Sequence, residues 1–160
     1  MAFTKVMVLV RGDESDGRAV SLAADMVRVT KGRLIVLYVI RVPRTLPVDA
    51  DTPEEADRGE AALIEAEHTA HLPKESIESE IVQARETGPS VVHEAAVREV
   101  QALVIGTPYP SDYGAFQMPD DLLYVLEHAP CQVVLWRDSP RGAPVASALS
   151  HDRRGPVGAG

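Results

Sequence analysis

The stretch from Leu103 to Leu135 constrains the fold more than any other part of the chain. Leu103-Val104-Ile105-Gly106 is a short apolar run. A loop follows to Pro119, then Asp120 to His128, then Ala129-Pro130-Cys131-Gln132-Val133-Val134-Leu135. The two apolar runs have the length and composition of buried strands. Between them Leu122, Val125, Leu126 and Ala129 recur at helical spacing, the stripe of a helix packed on a sheet. Pro130 ends that helix, because it has no N–H to donate and clashes with the preceding turn. Two continuous apolar strands joined by a helix make a parallel unit.

The rest of the chain repeats the unit. Val6 to Val10 is five apolar residues in a row, the mark of a strand buried on both faces. After the loop Arg11 to Ser15, Ser15 or Asp16 is placed to cap a helix whose apolar face is Val20, Ala23, Ala24 and Val27, with Gly32 closing it. Leu34 to Ile40 is a second buried strand. Arg41 to Asp51 holds two prolines and no period, and reads as a loop. Thr52-Pro53-Glu54-Glu55 has the capping-box pattern. The helix it opens buries Ala56, Gly59, Leu63, Ala66 and Ala70, and Pro73 ends it. Ile77 to Ala84 places acidic residues at alternate positions, which suits a sheet edge. Gly88-Pro89 opens a helix carrying Val92, Ala95 and Ala96. The order βαβ-loop-αβαβαβ implies an α/β fold with a doubly wound, five-stranded parallel sheet.

Composition narrows the partners. A formal net charge of −8 disfavours nucleic acid and anionic membrane surfaces. The longest apolar run, Leu34 to Ile40, is far too short to span a bilayer, so direct membrane insertion is not expected. The first residues run straight into a strand, with no room for a signal peptide. A single cysteine allows no internal disulfide and suits a reducing compartment. The expectation is a cytoplasmic domain over residues 1–138. Residues 139–160, with Pro140, Pro144, Pro156 and no apolar period, are expected to form a disordered tail. Arg153-Arg154 within it is solvated or a docking spot.

The segment Val104-Ile105-Gly106-Thr107, with Glu127-His128-Ala129-Pro130-Cys131-Gln132-Val133-Val134 after it, resembles the C-terminal part of the universal stress protein family. The resemblance runs from Lys5 to Arg137. It implies the adenine-nucleotide alpha-hydrolase-like fold, with strand order 3-2-1-4-5 and two helices on each face. The all-apolar first strand and the charged third strand agree with central and edge positions in that order. Nucleotide-binding members carry Gly-x₂-Gly-x₉-Gly-Ser here. This chain keeps the spacing and changes the residues, to Gly106, Tyr109, Pro119 and Asp120.

Ligands of open α/β sheets bind beyond the carboxyl ends of the strands, where strand order reverses. That places candidate crevice residues at Arg11, Gly12, Asp13, Val39, Gly106, Thr107, Tyr109 and Asp120. In ATP-binding relatives an acid ends the first strand and meets adenine; Arg11 stands there. Glycines let the backbone approach phosphates, and Tyr109 and Pro119 remove two of them. Asp120 and Asp121 would repel a triphosphate, one such pair costing roughly 1–4 kcal/mol at effective dielectrics of ~80 to ~20.

The individual residues admit plainer roles. Arg11 can pair with Asp13 or Asp120, or contact an anion. Tyr109 and Phe116 can cover the crevice or stack on a base. Asp120 serves as a helix cap, or as a metal ligand or acid. Cys131 reads as a small core residue, His93-Glu94 as surface, and His68 with His71 as a weak two-histidine metal pair. No Ser/His/Asp grouping or lysine-bearing phosphate loop is present.

Three functions follow. The first is a non-enzymatic, dimeric stress-response or regulatory factor without conventional ATP binding. The second is regulatory binding of ATP, AMP, a cyclic nucleotide or another small anion in the altered crevice. The third is a nucleotide hydrolase. The first expects no cofactor and no metal, with ATP or AMP the alternative ligands. The resemblance also implies a homodimer through Val133, Val134, Leu135 and Trp136 of the fifth strand, and a transporter or kinase as a candidate protein partner.

Overall fold

The structure, a computed structural model, describes residues 2–109 and 118–139. Its strands are β1 (Lys5–Val10), β2 (Arg33–Arg41), β3 (Ile77–Ala84), β4 (Ala102–Thr107) and β5 (Gln132–Arg137). Its helices are α1 (Asp16–Arg28), α2 (Pro53–Ala70), α3 (Thr87–Val97) and α4 (Asp120–His128), with a 3₁₀ turn at Lys74–Ser76. All strand pairings are parallel and the order is β3-β2-β1-β4-β5, as expected. Phe116 and all of the expected tail after Ser139, Arg153-Arg154 included, lie outside the described residues.

The central strand divides the core. Val6, Val8 and Val10 join the cluster under α1 and α2, while Met7 and Leu9 join the one under α3 and α4. All five are buried, and burying one such side chain stabilises the fold by about 1.5–3 kcal/mol. Both faces of β1 are therefore covered, which is why its sequence shows no alternation. Helix α1 buries Val20, Ala23, Ala24 and Val27 as its period requires, with Ala19 beside them.

Helix ends depart from the sequence reading in instructive ways. Ser15 stands at the N-cap of α1 without a capping bond, because its hydroxyl donates to the Asp13 carboxylate. Asp16, the first helical residue, reaches backward and accepts the N–H of Arg11 at 3.1 Å and of Gly12 at 2.7 Å. At the other end of α1 the left-handed conformation falls on Lys31 (φ 55°), not on Gly32. Gly32 is needed because a Cβ there would lie 2.5 Å from the Thr4 carbonyl oxygen. The capping box of α2 does not form. The Thr52 hydroxyl accepts from Gln83 Nε2 at 3.3 Å and Glu55 pairs with Arg58 at 2.9 Å. That helix stops at Ala70, with His71 left-handed at φ 50°, before Pro73 is reached.

Two apolar faces shift. Helix α3 starts at Thr87 and buries Val91 and Ala95; Val92 is partly covered and Ala96 exposed. The rotation follows from contact with α4, where an added Cβ on Gly88 would meet the Tyr124 Cβ at 3.1 Å. In α4, Leu122 and Val125 are buried and Ala129 packs at the margin, but Leu126 is 46% exposed. The sheet ends at β5, so nothing within the described residues covers that side of the helix.

Candidate functional site at the carboxyl edge of the sheet

Strand order reverses between β1 and β4, which pair from Val6 with Ala102 to Leu9 with Ile105. Just beyond this register the chain leaves β1 at Arg11, and Gly106 and Thr107 finish β4. The Arg11 guanidinium crosses from one strand to the other. Its Nη2 donates to the Gly106 carbonyl, 95 residues away in sequence. Its Nε lies 3.7 Å from Asp13 Oδ2, and is buried without a hydrogen-bond partner among the described residues. The pairing of Arg11 with Asp13 is thus the looser of its two attachments, and Asp120 takes no part in it.

Gly106 answers to helix packing. A Cβ there would come within 2.8 Å of the Ser15 carbonyl oxygen and 3.1 Å of the Ala19 Cβ. Only a residue without a side chain lets the start of α1 approach β4 this closely. Thr107 is buried beside it. Asp16 holds the intervening loop through the two backbone N–H groups. Burial raises its carboxyl above the ordinary range, against the pull of those bonds.

The expected site residues do not all converge. Arg11, Gly12 and Asp13 line a cleft of about 550 Å³ that opens between α1 and α2. Tyr38, Arg58, Glu65 and Ala66 complete its walls. Burial, with Glu55 nearby, raises the Tyr38 phenol above its usual value. Val39 lies on the opposite face of the sheet, among the residues under α3 and α4. Tyr109 turns toward β5, where the Arg137 guanidinium sits 5.1 Å from its ring centre. Asp120 is exposed at the start of α4, on a separate hollow that also includes Arg41 and Tyr124. The walls contributed by α2 carry no local sequence signal, since only the packing of α2 on Tyr38 brings them to the β1 loop.

The first turn of α4 is acidic and begins at Pro119, which supplies no N–H. Asp121 is already engaged, accepting from the Gly88 N–H at 3.4 Å. Burial raises the Cys131 thiol above its ordinary value, which disfavours the thiolate a nucleophile needs. The His68 and His71 rings are 6.0 Å apart, and no group of three or more potential metal ligands occurs among the described residues. No described helix is long and apolar enough to cross a membrane.

The architecture is shared with solved proteins of low identity. A universal stress protein from Archaeoglobus fulgidus superposes with a TM-score of 0.65 at 19% identity, covering 84% of this chain and 98% of that chain. A universal stress protein in complex with cAMP gives 0.62 at 19% identity, covering 87% and 100%. A universal stress protein family protein from Arabidopsis thaliana with AMP bound gives 0.59 at 19% identity, covering 91% and 99%. No curated protein matches the chain in sequence. Residues 2–137 match the family model described as the universal stress protein family. Nearly the whole folded region is spanned by that match, and the chain belongs to the universal stress protein family.

Proposed function

We propose that this chain is a non-enzymatic, dimeric stress-response factor that does not hold ATP in the conventional crevice. The observation that carries the reading is the Arg11 guanidinium bonded to the Gly106 carbonyl across the strand switch point. A cation fixed between the two strand ends occupies the place where the family resemblance puts the adenine-contacting acid. The family resemblance puts the phosphates at the start of α4, which here carries Asp120 and Asp121 and has no N–H at Pro119, although Asp120 faces a hollow separate from the Arg11 cleft. Family membership supports the stress-response, non-enzymatic part of the reading. In this view residues 1–138 form the working domain in the cytoplasm, and a transporter or kinase is the candidate protein partner.

The dimer is proposed through β5. Its edge position leaves one row of backbone groups unpaired by any described strand. Val133, Val134, Leu135 and Trp136 are only half-buried. Trp136 Nε1 is buried without a described hydrogen-bond partner, and Leu123 and Leu126 of α4 are both close to half exposed.

Calorimetry with ATP tests the crevice. The unmodified chain should bind in the high micromolar range or weaker, while the combined R11D, Y109G, P119G and D120S variant should bind measurably. Tight ATP binding by the unmodified chain overturns the reading. A second reading, a small nucleotide held in the altered crevice, is favoured by the 550 Å³ cleft and by the buried Arg11 Nε, which has no hydrogen-bond partner among the described residues. Saturable heat with AMP or cAMP that disappears in R11Q would establish it over the first.

A further inference from the structure

The carboxyl edge of the sheet has another hollow, on the far side of β2 from the Arg11 crevice. It measures about 330 Å³ and is lined by Arg41, Val42, Pro43, Arg44, Arg85 and Glu86. The topology assembles it. Strands β2 and β3 run parallel with Arg41 opposite Ala84, so both chains leave the sheet at one level and bring their basic residues together. In a chain with 24 acidic and 16 basic residues, three guanidinium groups against one carboxylate invert the local sign of charge.

Four arginines elsewhere in the chain are taken up by ion pairs. Arg28, Arg33, Arg58 and Arg98 each face a carboxylate at 3.5 Å or less. Arg41 and Arg44 form no ion pair or hydrogen bond with a described residue, and both are exposed. Arg85 is held in place by one nitrogen. Its Nη1 donates to the Pro43 and Leu46 carbonyls at 2.6 and 2.7 Å, with the Val42 carbonyl at 3.4 Å. Its Nε and Nη2 donors stay unengaged among the described residues. A guanidinium fixed by one edge and open on the other is arranged for a planar, two-pronged contact with an oxyanion. Helix α3 also starts here, after Glu86, with no side-chain cap on its first turn.

We propose that this hollow binds the phosphate group of a small phosphomonoester. Within this hollow three guanidinium groups less the Glu86 carboxylate leave a formal charge of +2, which a phosphate dianion neutralises and a carboxylate only halves; Asp120 and Asp121 lie on the adjoining hollow that shares Arg41 and Glu86. The volume admits a phosphate with a small organic remainder. The net charge of −8 over the whole chain works against an extended polyanion such as nucleic acid. The site is separate from the Arg11 crevice and does not depend on whether that crevice takes a ligand.

Nuclear magnetic resonance on the full chain tests it, with inorganic phosphate as the probe at pH 7.5 and constant ionic strength. The Nε–H signals of Arg41, Arg44 and Arg85 should shift saturably with phosphate, at millimolar concentration or below, and respond far less to acetate. The R41Q/R44Q variant changes only exposed side chains and should keep its melting temperature while binding phosphate at least tenfold more weakly. K74Q, which removes a charge at the amino end of β3, the far end of that strand from the hollow, should leave binding unchanged. Shifts that never saturate, that acetate reproduces, or that survive R41Q/R44Q would overturn the proposal. So would shifts centred on Arg11 and Gly106, which would also speak for a ligand in the crevice. A saturable response to a short oligonucleotide but not to phosphate would assign the patch to nucleic acid instead.

Discussion

The two edges of the sheet are built on opposite plans. At β3 both faces carry polar ties. Glu78 and Glu80 meet Arg98 at 3.0 and 3.2 Å, Glu94 meets the same arginine at 3.1 Å, and Arg33 reaches Glu78 at 3.5 Å. On the other face the Ser79 hydroxyl donates to Glu67 at 2.6 Å. At β5 four apolar residues in succession stand half-buried between Gln132 and Arg137. A strand does not decide by itself whether its outer row of N–H and C=O groups recruits another strand. Side chains decide, and charge at β3 discourages what apolar surface at β5 invites.

The largest expected effect breaks the contrast at β5. Val134→Asp puts a charge into the proposed joint and should weaken self-association by at least a hundredfold, about 3 kcal/mol. Analytical ultracentrifugation at micromolar concentration should then find dimers of the unmodified protein and monomers of the variant. A monomeric unmodified protein would show that β5 is an edge of the β3 kind, closed by means other than charge.

A smaller effect sharpens the comparison by moving to the middle of the sheet, where neither plan applies. Gly106→Ala meets backbone 2.8 Å away, so α1 must shift, at a cost of about 1–3 kcal/mol. Urea unfolding should register that loss at a fixed concentration of dimer, with the association constant unchanged. No loss of stability would mean that α1 moves freely on β4.

The smallest effect is at β3. Arg98→Ala removes a partly buried cation from three carboxylates and should cost roughly 1–2 kcal/mol, lowering the melting temperature by a few degrees. Because Glu78, Glu80 and Glu94 then repel one another, the loss should shrink as salt is raised. Loss of more than about 4 kcal/mol would make the network a structural keystone, in place of a guard on the edge.

Legibility in the sequence tracked how local the cause was. The unbroken apolar runs of β1, β2 and β4 announce strands covered on both faces, and the charged alternation of β3 announces an edge; both agree with the sheet order that the family resemblance implies. The face of α3 was misplaced because a contact with Tyr124 on another helix, not the period of α3, sets its rotation. Leu126 fits the α4 stripe but lies where the sheet has run out. At the crevice, the altered residues at 11, 109, 119 and 120 were visible in the spacing. The bond from Arg11 to Gly106 was not, and neither was the α2 wall of the 550 Å³ cleft, because each joins segments far apart in the chain. The arginines at 41, 44 and 85 lie in stretches that look like ordinary loops until parallel pairing brings them side by side.

Gly106 carries one more consequence. Its lack of a side chain is demanded from below by Ser15 and Ala19, whatever does or does not lie above it. A chain that made no use of the crevice could carry any residue at the other positions of the glycine motif and would still have to keep this one. The first glycine of the motif therefore reports on architecture, whether or not there is cargo. A sequence search keyed to it would gather chains that share the scaffold while saying nothing of what they carry.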